Sequence, residues 1–362
     1  MTRRWMLAVA GLVVFVMPGW AAGQTTPPAD PQSIRVGATI FYDYTFTNSP
    51  TKTDADGNDV KQTAFDVKRT YINITGTVSP LISFRVTPDI KRETGGSSLN
   101  GSLSFRIKYA FAQFNLSDWL PSGSRIRFGI HQTPFIEAQE EVYRYRFQGT
   151  VFAERDGGLS SADAGVSFRT MLPAAHGDVQ VGLYNGEGYT AAEANDQKSL
   201  QVRATVRPWP TAANGLEGLR LIGFVMHDHY VKDAERRRFI GSAMYEHETF
   251  SAGFDVLAGS DQVRVVAADV DTRGVSFFVN PYFDEKGKGL EGLFRFDHHR
   301  TSAQLDGRLT RVIVGGAYWF PHPGGSATAA LLVDYEQVAY SGALFSTRPK
   351  EQRLAVHGLI NF

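Results

Sequence analysis

Arginine and lysine recur at every second position in several segments of the sequence, and this spacing has the clearest chemical consequence. Arg125 and Arg127 alternate with Ile126 and Phe128, and the pattern returns elsewhere in the chain. Because successive side chains of a strand point to opposite faces, these segments predict strands with one apolar and one cationic face. The rule places eleven cations on polar faces: Arg69, Arg85, Arg106, Lys108, Arg125, Arg127, Arg169, Arg203, Arg207, Arg295 and Arg311.

Such cationic faces would attract anions if they lined a water-filled space. Wall arginines raise the local anion concentration, and guanidinium groups bind phosphate-like oxyanions in a bidentate fork. We expect fewer acids on the same faces, chiefly Asp89, Asp255, Glu291 and Asp297. The alternative is that the arginines pair with these acids and only hold the wall in shape.

Residues 133–162 form the longest break between the predicted strands. The run Phe135–Phe147 predicts a short helix with apolar anchors, and a loop of this length is expected to fold against the rest of the chain. If the strands close into a barrel around a water-filled pore, this segment would fold into the barrel and narrow the pore. Arg144, Arg146 and Arg155 are therefore candidates for the narrowest part of the pore, the constriction. Its five acidic residues leave it with a charge of −2, which favours weak or mixed local selectivity.

Metal and catalytic chemistry have little support in the sequence. The acidic run Asp54–Asp59 opens like a calcium loop but lacks the Gly and Glu that an EF-hand needs at its sixth and twelfth positions. His227 and His229 share one face of a strand end, where solvated histidines are common. The chain has no cysteine, no Gly-x-Ser-x-Gly elbow and no P-loop. We predict no cofactor, no metal site and no enzyme, although a spatial Ser/His arrangement is invisible at this level.

Sixteen strand-like segments are expected to position these side chains. Short turns follow even-numbered segments, and longer polar loops such as 47–63, 187–197 and 261–271 follow odd-numbered ones. This layout predicts an all-β fold, a 16-stranded antiparallel transmembrane β-barrel whose third extracellular loop, 133–162, folds inward. The predicted strands are 33–46, 64–79, 81–92, 102–116, 124–132, 163–171, 178–186, 198–208, 218–230, 238–249, 251–260, 272–282, 290–299, 309–319, 328–340 and 351–362.

The apolar faces predict contact with lipid. In the last segment Leu354, Val356 and Ile360 share a face that ends on Phe362, which we interpret as an assembly signal for the barrel-assembly machinery. Aromatic residues near strand ends, such as Tyr318-Trp319-Phe320, are typical of interfacial girdles. The core of a soluble sandwich is the alternative.

The beginning of the chain predicts export. Arg3 and Arg4 precede an apolar run and the small residues Ala21-Ala22-Gly23, so we expect a signal peptide over 1–23, a flexible leader over 24–32 and a barrel over 33–362. The predicted location is the outer membrane, in contact with its lipid and lipopolysaccharide. Lys+Arg and Asp+Glu both number 37, which argues against a nucleic-acid partner.

Several short motifs resemble the phosphate-selective porin O/P family. They are Arg69-Thr-Tyr-Ile-Asn-Ile-Thr-Gly76 with Ser79-Pro80 and Phe84-Arg85, Gly129-Ile-His-Gln-Thr-Pro134, Glu154-Arg155, Asp163-Ala-Gly165 and Val181-Gly-Leu-Tyr-Asn-Gly186. The resemblance implies a sixteen-stranded barrel, usually a homotrimer, with arginines along the channel wall. The phosphate-specific members also use lysines near the constriction, and 133–162 contains none.

These observations favour a porin for passive diffusion of small hydrophilic, preferentially anionic solutes, with phosphate or another oxyanion as one possible cargo. A substrate-specific channel for a small organic solute and a non-transporting structural or adhesive barrel remain alternatives.

Overall fold

A computed structural model describes residues 33–94, 98–212, 215–321 and 327–362. The predicted signal peptide and leader, 1–32, lie outside the described residues. No helix within the described part of the chain is long and apolar enough to cross a membrane. The strands are β1 Arg35–Thr53, β2 Asp59–Thr77, β3 Ile82–Arg92, β4 Leu103–Asn115, β5 Arg125–Gln132, β6 Ala162–Met171, β7 Gly177–Tyr184, β8 Ser199–Val206, β9 Leu219–Val231, β10 Ala234–Glu246, β11 Phe250–Asp261, β12 Val270–Pro281, β13 Gly289–Ser302, β14 Gly307–Trp319, β15 Thr328–Ser341 and β16 Glu351–Asn361, and the helices are α1 Pro134–Glu140 and α2 Phe152–Arg155.

The strands form one closed antiparallel sheet, which confirms the predicted sixteen-stranded barrel. Each strand pairs with its sequence neighbours, and β1 closes the sheet against β16. Beyond β16, the backbone N–H and C=O of Phe362 bond to Ala38 at 3.0 and 2.9 Å. Closure leaves no unpaired strand edge, which a sheet in contact with lipid requires. The role of Phe362 in assembly stays a prediction.

The first connection differs from the sequence prediction. The expected polar loop 47–63 is instead the end of a long hairpin, because β1 continues to Thr53 and β2 begins at Asp59. Asp54 makes the tight turn possible: its Oδ1 accepts hydrogen bonds from the backbone N–H of Asp56 and Asn58 at 3.0 and 2.8 Å. Asp commonly closes turns through such side-chain bonds.

Two of the bulges in the sheet, each with one extra residue in a strand, change which side chains face the lumen. Phe41 of β1 pairs with Arg69 of β2, and Tyr42 pairs with Val67. Lys68, between Arg69 and Val67, therefore has no paired residue on β1. Lys68 donates to the backbone oxygen of Gln148 at 2.9 Å, on the inner side that Arg69 also faces. Alternation had placed Arg69, but not Lys68, on this face.

The second bulge lies in β4. Thr87 pairs with Tyr109 and Pro88 with Ile107, which leaves Lys108 as the extra residue. Proline has no amide hydrogen for the ladder, and bulges are among the few places where a sheet tolerates it. The bulge turns Tyr109 inward, where its side chain is buried. Strict alternation along β4 would instead place Tyr109 on the outer face together with Phe105, which is 63% exposed.

Residues 133–162, the plug segment, pack against the inner faces of strands β9–β16. Ring centroids lie 5.3 Å apart for Phe135 and Phe224, and 5.0 Å apart for Tyr143 and Phe278. Trp319 also points inward and is 4% exposed, so its predicted place in an interfacial girdle is wrong. These strands carry apolar side chains on both faces because one face meets the plug segment and the other is on the outside of the barrel.

Candidate functional site

Most of the predicted wall cations are paired with carboxylates. Arg69 and Arg106 share Asp89, at 3.3 and 2.9 Å. Arg125 and Arg127 share Glu137 of α1, at 3.1 and 2.8 Å. These two groups tie the wall of β2–β5 to itself and to the plug segment.

The same arrangement recurs on the other strands. Arg169 pairs with Asp178 at 2.9 Å, and Arg203 contacts the same carboxylate. Arg295 and Arg311 share Asp297, at 2.8 and 3.3 Å. Arg311 also contacts Asp156 and Glu336.

The inner faces carry more acids than the four that were predicted. Asp178, Asp228, Asp334 and Glu336 are all buried within strands. Alternation could have identified Asp334, since its neighbours Val333 and Tyr335 are exposed on the outer face. The expectation that few acids share the cationic faces is therefore wrong, because acids of the same strand, of adjacent strands and of the plug segment meet the arginines.

Arg85 and Lys108 differ from these paired cations. Within the described part of the chain, no carboxylate oxygen lies within 4 Å of either cation. Arg85 donates to Asn73 Oδ1 at 2.7 Å and Thr87 Oγ1 at 2.9 Å. Its guanidinium carbon lies 4.5 Å from the ring centroid of Tyr109. Lys108 Nζ lies 4.9 Å from the ring centroid of Tyr71.

Arg207 lies one residue beyond β8, which ends at Val206. It donates to the backbone oxygen of Glu217 at 2.9 Å and so belongs to the β8–β9 connection. The predicted strand 198–208 was too long at this end.

The three constriction candidates occupy different places. Arg144 packs 4.0 Å from the Trp319 ring centroid and pairs with Glu291 at 3.0 Å. Arg155 lies 3.5 Å from Glu336. Both contacts hold the plug segment to the wall.

Arg146 lies on the open side of the plug segment. It pairs with Glu140 at 2.7 Å and Glu154 at 3.2 Å. It borders a cavity of about 280 Å³. The structure thus brings Arg146, but not Arg144 or Arg155, to the same cavity as Arg85 and Lys108.

Two cavities lie along the wall of β1–β5. The larger, about 410 Å³, is lined by Ser33, Arg35, Thr75, Gly76, Thr77, Ser83, Phe84, Arg85, Phe111, Gln113, Arg127 and Gln132. The smaller is lined by Thr39, Tyr71, Asn73, Arg85, Lys108, Tyr109, Gln132, Glu137, Glu140, Glu141 and Arg146. Arg85 and Gln132 border both, so the cavities adjoin each other between the wall and α1.

Helix α1 forms the acidic side of the smaller cavity. It begins at Pro134, whose missing amide hydrogen costs nothing in a first helical turn. Gln139 donates to Asp255 Oδ2 at 2.6 Å and fixes the opposite side of the helix. Burial alone would raise the pKa of Glu137, but the guanidinium groups of Arg127 and Arg125 lower it to about 2.

Sequence reasoning missed Tyr189, which lies in the connection between β7 and β8. Its hydroxyl oxygen accepts hydrogen bonds from Arg69 at 3.1 Å and Arg106 at 2.9 Å. The Arg106 guanidinium carbon also lies 4.7 Å from its ring centroid. A second loop thus reaches the cationic wall, and no pattern within that loop marks the tyrosine as an inward residue.

The histidines in the described part of the chain do not gather into one cluster. The rings of His227 and His229 lie 5.0 Å apart, but His227 is exposed on the outer face. His357 is buried between Asp334 and Asp43, at 2.8 and 3.6 Å. Among the described residues, no group of three or more metal-binding side chains occurs.

Solved outer-membrane channels share this fold. An anion-selective porin from Comamonas acidovorans aligns with a TM-score of 0.61 and 12% identity over 91% of this chain and all of that one. The outer-membrane channel DcaP of Acinetobacter baumannii gives 0.62 and 10% identity over 91% of this chain and 97% of its own. OmpT of Vibrio cholerae gives 0.60 and 11% identity over 92% and 99%. At these identities the likeness concerns the fold.

No curated protein sequence matches the chain significantly. The family profile described as phosphate-selective porin O and P matches residues 35–217, just over half of the chain. That range includes β1–β8 and the plug segment, and with them every residue that lines the two cavities except Ser33. The chain belongs to the phosphate-selective porin O and P family and is a porin of the outer membrane.

Proposed function

We propose that this porin lets small hydrophilic solutes diffuse passively and prefers anions. The observation that carries this proposal is the composition of the larger cavity. Arg35 and Arg85 line it with no carboxylate oxygen within 4 Å among the described residues, Arg127 lines it paired with Glu137, and none of its described lining residues is acidic. Arginines beside a water-filled space lower the energy of an entering anion.

The proposed route runs between α1 and the wall of β1–β5. The plug segment fills the side of β9–β16, whereas the two adjoining cavities lie on the other side. A solute leaving the larger cavity meets Lys108 and Arg146 on one side and Glu140 and Glu141 on the other. The mixed charge there supports a moderate rather than an absolute preference for anions.

Substrate specificity is the second candidate. Lys108 and Arg85 lie beside the rings of Tyr71 and Tyr109 without a carboxylate partner among the described residues. Cations next to aromatic rings suit an oxyanion such as phosphate or an organic acid. Such a site would saturate, whereas a general pore would not.

A homotrimer in the outer membrane is the proposed assembly. Family membership supports it, and one of the aligned structures is a trimer form of Vibrio cholerae OmpT. The predicted signal peptide supplies the proposed route of export.

Recording of single channels in planar bilayers tests these proposals. Under a salt gradient the reversal potential should indicate anion preference, and Arg85→Gln should reduce the anion-to-cation permeability ratio up to about sevenfold, because the lost charge acts on anions and cations with opposite sign. A unit charge roughly 7 Å away contributes about 0.6 kcal/mol in water. Three equal conductance steps per insertion are expected of a trimer.

The matched control is Arg237→Gln, because Arg237 is exposed outside the barrel. It should leave the reversal potential unchanged. A cation-selective current would refute the anion preference, and the absence of any current would refute transport. Block of the current by millimolar phosphate would decide in favour of the specific channel.

A further inference from the structure

Three arginines on neighbouring strands lie directly opposite one another on the outer surface of the barrel. Arg273 of β12 pairs with Arg300 of β13, and Arg300 pairs with Arg308 of β14. We propose that this arginine row binds the phosphate groups of a glycolipid in the outer leaflet of the membrane. The proposal needs the barrel and its orientation but is independent of ion selectivity.

The arginine row faces away from the lumen. Thr272, next to Arg273, is buried, and its hydroxyl lies 2.6 Å from Nε2 of the buried His299. Arg273 itself is exposed. In β14 Leu309 is buried, whereas the side chain of Arg308 is 47% exposed. Alternation therefore places all three cations on the lipid side.

The row lacks compensating charge from the protein. Among the described residues, no carboxylate oxygen lies within 4 Å of the cations of Arg273 or Arg300. Arg308 has one such partner, Asp306, at 2.7 Å. Among the described residues, Nε of Arg300 is buried without a hydrogen-bond partner. The Nη2 atom of Arg300 donates a hydrogen bond to the backbone oxygen of Ala303 at 3.1 Å.

A bound anion would remove an unfavourable interaction. Like charges directly opposite each other on adjacent strands destabilise a sheet. A phosphate between two guanidinium groups would cancel their repulsion and accept bidentate hydrogen bonds from each.

The height of the row matches the level of lipid headgroups. Tyr318 lies on the same face of β14, ten positions after Arg308. Ten residues span about 34 Å along a strand, or about 26 Å along the normal of the membrane for a tilt of roughly 40°, which is about the height of the apolar band of outer-membrane barrels. Arg308 and Tyr318 thus lie at opposite interfaces.

The surface below the row suits acyl chains. The next outward positions of β12 are Val275 and Phe277, and Phe277 packs 6.3 Å from Phe294 of β13. Val314 of β14 is half exposed at the same depth. A phosphate on the arginines with its chains against these residues would match an amphipathic lipid.

The leaflet follows from the connections. The row lies at the end of the barrel that carries the two longest connections between strands, 133–161 and 185–198. In outer-membrane barrels the longer loops are extracellular. The outer leaflet carries phosphorylated glycolipid, so this source of phosphate is the one proposed.

Binding of lipid A to the purified full-length protein in detergent tests the proposal. The protein should bind phosphorylated lipid A at least tenfold more tightly than dephosphorylated lipid A. In the triple variant R273Q/R300Q/R308Q this difference should disappear, since each arginine near an anionic lipid contributes roughly fivefold. R237Q is the matched control, because Arg237 lies at the same end but already has Glu235 and Asp269 within 4 Å.

Equal binding of lipid A by the wild type and the triple variant would overturn the proposal, as would equally tight binding of phosphatidylglycerol vesicles. In lipid-free detergent the triple variant should melt no lower than the wild type, because repulsion is removed. A lower melting temperature would assign the row a structural role instead.

If the triple variant does not assemble, R273Q alone should still weaken binding of phosphorylated lipid A about fivefold, and an unchanged affinity would refute the site. The reversal potential of the channel should not change in any of these variants.

Discussion

Single side chains of the lumen carry their charge either paired or unpaired, and this difference decides what a solute encounters. Arg295 and Asp297 are both almost fully buried and neutralise each other. Arg85 has only neutral partners among the described residues, so its charge acts on the cavities. The number of arginines in the wall is therefore a poor measure of selectivity.

The contribution of a paired charge to stability can be tested at Glu137 by varying the pH. Its folded-state pKa of about 2 lies below the ordinary 4.5, because Arg127 and Arg125 outweigh its burial. The stability from its ionised form is complete above about pH 4.5 and is lost as the pH falls toward 2. We expect Glu137→Gln to destabilise the protein by roughly 1.5–3 kcal/mol at neutral pH, and the difference from the wild type to vanish near pH 2.

Thermal unfolding of both proteins from pH 2 to 7 measures this difference. Glu141→Gln is the control, since Glu141 is 46% exposed and its contacts with Arg220 and Arg169 are 3.4 and 3.8 Å. It should change stability little at any pH. A Glu137 effect that persists undiminished at pH 2 would show that the carboxylate charge is not what holds α1.

At the scale of secondary-structure elements, the bulges determine which side chains face the lumen. The extra residue in β4 is Lys108, and it brings Tyr109 onto the inner face together with Arg106. The bulge in β2 adds Lys68 to the same wall. One extra residue in each strand thus changes the chemistry of the cavity without changing the closure of the sheet.

Deletion of Lys108 tests this interpretation. The shortened strand should pair regularly, keep Arg106 and Tyr109 inward and assemble at wild-type yield, with a lower anion preference. Deletion of Val256 is the control, because β11 pairs with both neighbours without a bulge and the loss would turn half of the strand over. The heat-induced mobility shift of folded barrels measures assembly. Failure of the Lys108 deletion alongside the Val256 deletion would contradict the bulge assignment.

At the scale of the molecule, one loop divides the lumen. Apolar residues of the plug segment bury the inner faces of β9–β16, and ion pairs such as Arg144 with Glu291 fasten it. The open space remains beside β1–β5. The barrel interior is therefore a packed core beside β9–β16 and an open space beside β1–β5.

Replacing 134–160 by a two-residue turn tests the division. Gln132 pairs directly with Ala162, so β5 and β6 can be joined by a tight hairpin. Conductance should rise several-fold, and thermal stability should fall because Ile222, Phe224 and Met226 lose their cover, each worth about 1.5–3 kcal/mol. Shortening the connection 262–269 is the control and should leave conductance unchanged. Unchanged conductance without the plug segment would mean that another constriction limits the flow.

The sequence by itself determined the barrel, its strand number and the direction of most wall residues. These follow from a period of two, because every strand must present apolar side chains to lipid. The same alternation identified Arg85 and Lys108, which lie beside the cavities.

Only the tertiary structure decided which charges are paired and where the channel runs. Arg155 meets Glu336 and Arg144 meets Glu291 although more than a hundred residues separate each pair. Such contacts depend on the register of distant strands and on the path of the plug segment. The bulges at Lys68 and Lys108 were also beyond the sequence, because an extra residue shows itself only against the partner strand. Local periodicity determines which face of its strand a side chain occupies. The contacts that this side chain makes across the lumen depend instead on how the whole sheet closes.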